Sequence, residues 1–233
     1  MIDLSIRLKT IYDMVEPNLT VCDLCSDHGY IPIELLKNNI TNKVIATDIK
    51  QASIDKIKDN IIKNLSKDKQ NHIDIKIGDG LKIINYDEFD VLIISGIGSD
   101  LMIDILTDID KYDYKYLLLS PQTKIHSFRK WIIDKNLYIS DEKIVYEDEQ
   151  YYFIFKITKN INDIKQKYDE TEILYSKYLL KNKNKLLYNY INKQLIQYED
   201  IINKISQSDT KQIDVLNHYK HIYNITKNII NNW

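Results

Sequence analysis

All five glycines of this 233-residue chain fall before position 99, and each closes a short apolar run. Gly29 follows VCDLCSDH, Gly78 and Gly80 sit in IKIGDG, and Gly96 and Gly98 in LIISGIGS. In an open parallel sheet with crossover helices, ligands bind in the crevice beyond the carboxyl ends of the strands. A residue there often needs a positive φ or must let a ligand reach the backbone, and glycine does both without a clash. The placement therefore points to a sheet carrying a nucleotide-type site at its strand ends.

The hydrophobic pattern agrees. Strand-like runs occur at 19–24, 43–47, 73–77, 90–94 and 115–120, with helix-like segments at 31–39, 51–63, 100–109 and 124–134 between them. Such alternation indicates βαβ units and a parallel sheet. The rhythm then changes. Runs at 137–146 and 151–158 are joined by the acidic link EDEQ, which predicts an antiparallel hairpin. Five alternating strands closed by such a pair give an α/β fold, the Rossmann-like class I methyltransferase sheet. Past Thr158 the chain has neither glycine nor proline. Tyr188, Ile191, Leu195, Tyr198, Ile202 and Ile205 recur at spacings of three and four, as in a heptad seam. The stretch 206–209 supplies turn and capping residues. A second seam follows through Ile213, Leu216, Tyr219 or Lys220, Tyr223 and Ile230. This predicts a C-terminal α-helical coiled-coil hairpin, preceded by a shorter helix near 172–180, with a dimeric coiled coil as the rival. The expected domains are 1–160 and 161–233.

Composition narrows the setting. No stretch approaches the roughly 18–20 apolar residues of a membrane span. The N-terminus lacks a signal-peptide core and reads as an amphipathic helix, with Leu4, Leu8, Ile11 and Val15 on one stripe. A cytoplasmic protein, monomeric and away from membranes, is the expectation. Thirty lysines face two arginines, the mark of an AT-rich coding bias. The net charge of −2 hides a mild asymmetry, since residues 161–233 carry 11 lysines and 8 acidic side chains. Cys22 and Cys25 form a lone C-x-x-C. With no second cysteine pair a structural zinc site lacks ligands, so no metal is expected.

Three acids stand at three successive strand ends. Asp23 closes the first strand and is followed by LCSDHG rather than the G-x-G-x-x-G that cradles a pyrophosphate. A phosphate-free cofactor with a cationic end, such as S-adenosylmethionine, suits an acid there, and the following helix N-terminus suits its carboxylate. Cys25, Ser26, His28 and Gly29 belong to the same loop. Asp48, with Ile49 beside it, ends the second strand, where a carboxylate can accept from both ribose hydroxyls; the alternative is a helix cap. Asp79, between Gly78 and Gly80, is placed for an adenine amino group, or for an ordinary Asp-Gly turn. Ser95 and Gly96 close the fourth strand and complete the cofactor set. Gly96 and Gly98 leave space for a flat base, without the Asn/Asp-Pro-Pro motif common where exocyclic amines are methylated. Tyr30 is a stacking candidate, Gln122 follows the fifth strand, and Arg129, Lys181 and Lys185 complete the candidate substrate contacts. Asp27, with His28 or Ser95, is the candidate catalytic group.

The succession DLCSDHGYIP, ATDIKQASIDKIKDNI, IGDGL, DVLIISGIGSDLMIDIL and LLLSPQTKIHSFRKWI, with the later EKIVYEDEQYYFIFKI, resembles the bacterial tRNA (adenine-22-N1)-methyltransferase family, often called TrmK. The resemblance spans about residues 3–158, and the helical tail in character. Its specific parts are the D-x-x-S-D-H-x-Y-x-P loop and the glycine pair. It implies S-adenosylmethionine as donor, N1 of an adenine in the tRNA D-arm as acceptor, and a C-terminal coiled coil that helps hold tRNA. Two departures stand out: Cys25 where the family usually has glycine, and Gly96-Ile97-Gly98-Ser99 in place of Gly-Met-Gly-Gly. Apart from the resemblance, the residues also admit methylation of another RNA position or a small molecule, or a catalytically silent RNA-binding module.

Overall fold

The computed structural model describes residues 2–159, 167–207 and 213–233. The chain divides into two compact units, Met1–Gln166 and Lys167–Trp233. The boundary expected between 160 and 161, and residues 208 and 209 of the turn expected at 206–209, lie outside the described residues.

In chain order the first unit runs α1 (Ile6–Asp13), β1 (Val21–Leu24), α2 (Tyr30–Lys37), β2 (Val44–Asp48), α3 (Gln51–Asn64), α4 (Lys67–Gln70), β3 (Ile73–Ile77), β4 (Val91–Ser95), α5 (Ser99–Ile105), β5 (Tyr116–Ser120), α6 (Ile125–Asp134), β6 (Tyr138–Glu147) and β7 (Gln150–Thr158). The strands form one sheet in the order β3-β2-β1-β4-β5-β7-β6. β1 to β5 pair in parallel, and β7 runs antiparallel to both β5 and β6. Every residue of β1, β2 and β5 is buried. Strands covered on both faces read as unbroken apolar runs, which is why these were legible. β3, at the edge, alternates isoleucine with Asp74 and Lys76 instead. Strand order reverses at β1, which lies between β2 and β4. A ligand crevice is expected at their carboxyl ends.

One glycine is fixed by packing as well as by backbone. Gly29 caps α2 with φ 69°, and a β-carbon there would stand 3.1 Å from Ile57 Cγ2 on α3. Only glycine lets the two helices press together at that point while the chain turns left-handed. The hairpin is tighter than its sequence suggests. Glu147 pairs with Gln150, leaving Asp148 and Glu149 as a two-residue turn with φ of 47° and 61°. Positive φ at both centres is the primed turn that matches strand twist. The link EDEQ thus contributes a residue to each strand.

Arg129 is not a substrate contact. It lies on α6 with 0% exposure, its Nη2 donating to Glu142 Oε1 at 2.5 Å and its Nε to Glu142 Oε2 at 3.3 Å. Its guanidinium carbon sits 5.4 Å from the Phe155 ring centroid and 5.8 Å from that of Phe153. A buried guanidinium needs a carboxylate, and β6 supplies one, with β5 and β7 between it and the crevice strand β4.

The second unit is helical: α7 (Glu170–Tyr175), α8 (Lys177–Lys181), α9 (Lys185–Ser206) and α10 (Ile213–Asn231). Asp169 and Glu172 form a reciprocal capping box at the start of α7. α9 and α10 pack antiparallel: Tyr188 meets Trp233 at 5.2 Å between ring centroids, and Tyr198 meets Tyr219 at 6.0 Å. Ile191 of the expected seam is buried, but so is Leu187 outside it, and on α10 the buried positions are Ile222 and Thr226 rather than the exposed Ile213. Tyr175 explains the shift, because its hydroxyl pairs with Thr226 Oγ1 at 2.7 Å and brings α7 onto α10. Lys181 and Lys185 do not ride one helix. Lys181 ends α8, Lys183 turns left-handed with φ 46°, and Asn184 caps α9 by accepting from the Leu186 and Leu187 amides.

Candidate active site

At the carboxyl ends of β1, β2 and β4 opens a crevice of about 530 Å³. Asp23, Cys25, Ser26, Asp27, His28, Tyr30, Asp48, Ile49, Ser95, Gly96 and Gln122 all line it. The loop after β1 makes this possible by turning left-handed at Cys25 (φ 58°) and again at Asp27 (φ 45°), before Gly29 starts α2. A non-glycine residue held there costs about 1 kcal/mol or more. That is the local reason a glycine fits the Cys25 position.

Asp23 and Asp48 are both buried. Ser26 Oγ donates to Asp23 Oδ2 at 2.5 Å. Burial pushes the Asp23 carboxyl up to about 7 against that hydrogen bond, and Asp48 adds to the rise. Such a carboxylate gains from a cation placed beside it. Asp48 accepts from the Lys50 amide at 2.9 Å and the Asp27 amide at 3.3 Å, so it braces the loop. The cap of α3 is Lys50, without a side-chain bond, which removes the helix-cap alternative for Asp48. Asp27 faces outward. Its carboxylate meets His28 Nε2 at 3.2 Å, Ser53 Oγ at 3.3 Å and Lys56 Nζ at 3.3 Å. The His28 and Tyr30 rings stack at 5.0 Å and 15°.

Other expected residues frame the crevice without lining it. The Gly78 amide donates to the Asp48 carbonyl at 3.1 Å, and Asp79 pairs with Lys82, an exposed contact beside Gly80. Gly98 caps α5, where Ser99 is buried and donates its hydroxyl to the Thr123 carbonyl. The serine at this departure from the family pattern is thus taken up in joining α5 to the loop after β5. Lys181 and Lys185 belong to the second unit.

Cys25 is half-buried and Cys22 fully buried, both as free thiols. Burial, then Asp48, Asp23 and Asp79, push Cys25 up to about 11, and burial raises Cys22 well above its ordinary value. Both stay protonated at neutral pH, the wrong state for a nucleophile or a metal ligand. Among the described residues no group of three His, Cys, Asp or Glu could hold a metal ion.

A family profile described as a methyltransferase domain matches residues 4–155. The chain belongs to the methyltransferase-domain family. It is 29% identical over 216 residues to the tRNA (adenine(22)-N(1))-methyltransferase of Bacillus subtilis, covering 90% of this chain and 89% of that one. The crystal structure of B. subtilis TrmK superposes with a TM-score of 0.86 at 26% identity, over 99% of this chain and all of that chain. A Mycoplasma capricolum TrmK structure in complex with S-adenosylhomocysteine superposes with a TM-score of 0.84 at 26% identity, over 98% of each.

Sequence reasoning missed several members of this methyltransferase crevice, notably Arg7, Leu8, Lys50, Ser53, Ile97 and Leu101. Of these, Lys50 and Ile97 sit one residue from an expected position. Arg7 does not, and its signal was its rarity: it is one of only two arginines.

Proposed function

We propose that this chain transfers the methyl group of S-adenosylmethionine to N1 of adenine 22 in the D-arm of tRNA. The observation that carries the reading is the buried pair Asp23 and Asp48 at the ends of adjacent strands, in a crevice without a phosphate cradle. The chemistry of the lining fits the donor. Asp23 answers the cationic amino-acid end, Asp48 accepts from the ribose hydroxyls, and Ile49, 61% exposed beside it, offers an apolar face to the adenine. When bound, S-adenosylmethionine supplies a methyl group on a positively charged sulfur.

The acceptor nitrogen N1 carries an in-plane lone pair and is itself a nucleophile, so the protein's work is alignment. Gly96, with φ 83° and no side chain, lets a flat base approach the backbone at the end of β4, beside the Arg7 guanidinium. His28 and Tyr30 present a stacked pair at the crevice. Asp27, facing outward, accepts from the exocyclic amine and answers the positive charge that develops on the ring. A paired N1 is out of reach, so the base is extruded before transfer. The second unit holds the tRNA through phosphate contacts that include Lys181 and Lys185. The protein acts as a cytoplasmic monomer. Among the described residues no helix is long and apolar enough to cross a membrane.

N1-methylation removes a Watson–Crick acceptor, so reverse transcription of tRNA treated with protein and donor halts beside the modified base. The expected stop lies one nucleotide 3′ of adenine 22. A stop elsewhere reassigns the acceptor, and none at all removes the reading.

A further inference from the structure

Of the chain's two arginines, Arg129 is committed to Glu142 in the core. Arg7 projects from α1 into the crevice instead. Its Nη1 lies 3.6 Å from where a β-carbon on Gly96 would stand, and its guanidinium carbon lies 4.9 Å from the Tyr152 ring centroid. Among the described residues its Nε and Nη1 are buried and have no hydrogen-bond partner. Buried charged donors left without an acceptor are costly, so the arrangement is built for an acceptor that arrives with a ligand. The carboxylates of the crevice do not serve. Asp23 is held by Ser26, Asp48 by two backbone amides and Asp27 by Lys56 and His28. The N-terminus of α2 is a weak rival for an anion: the Gly29 amide is taken by the Ser26 carbonyl at 3.0 Å, and Pro32 has no N–H.

We propose that Arg7 is the oxyanion clamp of the crevice, its guanidinium donating to a carboxylate or phosphate held beside Gly96. The planar fork of a guanidinium suits either group, and lysine, plentiful in this chain, lacks that fork. The two sources are the carboxylate at the amino-acid end of the methyl donor and the phosphate of the acceptor nucleotide. The proposal rests on the methyl-donor reading of the crevice.

Calorimetric titration of the full chain with S-adenosylhomocysteine and with 5′-methylthioadenosine separates the sources, because the second ligand keeps the nucleoside and sulfur but lacks the amino-acid end. If the carboxylate is the partner, Arg7→Gln weakens S-adenosylhomocysteine about tenfold or more and leaves methylthioadenosine within about twofold. If the phosphate is the partner, both small ligands are unaffected, while tRNA binding by fluorescence anisotropy weakens about tenfold and its salt slope falls by about one. Arg7→Lys, keeping the charge without the fork, recovers part of either loss. Should Arg7→Gln not fold, a loss of about threefold or more in one arm for Arg7→Lys supports the clamp. Unchanged affinities for all three ligands in the folded variant overturn it. A wild-type chain that binds neither small ligand overturns the methyl-donor reading, and the clamp with it.

Discussion

Asp23 and Asp48 are neighbours in the sheet with different tasks. Asp48 is tied to two backbone amides, so Asp48→Ala removes the ribose acceptor and also frees the loop that it braces. Its dissociation constant for S-adenosylmethionine, read by calorimetry, is expected to rise about tenfold or more; an unchanged value would reduce Asp48 to a loop brace. Asp23 makes a pH statement. With its carboxyl at about 7, the ionised form that holds a cationic ligand is populated only as pH rises through 7. Affinity for S-adenosylmethionine is therefore expected to climb between about pH 6 and pH 8 and to lose that step in Asp23→Asn. Stability runs the other way. A carboxyl raised from 3.8 binds its proton more tightly folded than unfolded, so it stabilises the fold at low pH and that contribution is lost as pH rises through 7. Thermal melts should find Asp23→Asn gaining on the wild type progressively between about pH 4 and pH 7, with the full gain at about pH 8. A gain that ignores pH contradicts the assignment.

At the scale of elements, what could be read from the sequence follows from burial. β1, β2, β4 and β5 are almost wholly buried, so their apolar runs stand out, and the acids that break those runs mark the strand ends. Asp23, Asp48, Ser95 and Gly96 were legible for that reason. Side chains reaching the crevice from elements distant in sequence were not, because no local pattern records a tertiary approach. Arg7 comes from α1, more than eighty residues before Gly96. Arg129 failed in the opposite sense: a lone arginine after the fifth strand looks exposed, and only the pairing of β6 reveals Glu142 facing it. The helical seam was displaced because Tyr175 on α7 competes for the α10 face, an interaction that heptad spacing does not encode. The Arg129–Glu142 pair gives an element-scale prediction. Glu142→Ala strands a buried guanidinium and is expected to cost about 3–5 kcal/mol by denaturant unfolding, while the cofactor affinity of the folded fraction stays within about twofold.

For the whole molecule, the two units divide the labour in the proposed scheme. Every crevice residue lies in Met1–Gln166, and the net positive charge lies in the tail. A protein ending at residue 166 is expected to bind S-adenosylmethionine within about threefold of the full chain, yet to lose most methylation of tRNA. Its residual tRNA binding should also be less sensitive to salt, because fewer phosphate contacts release counterions. Near-normal methylation by the shortened protein would make the helical unit a stabilising appendage. The central claim is the reaction itself. Full-length tRNA incubated with the protein and isotopically labelled S-adenosylmethionine, digested with a base-specific nuclease and read by mass spectrometry, tests it most directly. The account predicts one labelled methyl group, on adenine 22 as N1-methyladenosine, and none when residue 22 of the transcript is not adenine. Label on another nucleotide, or an unlabelled tRNA in the presence of a chain that binds the donor, would contradict it.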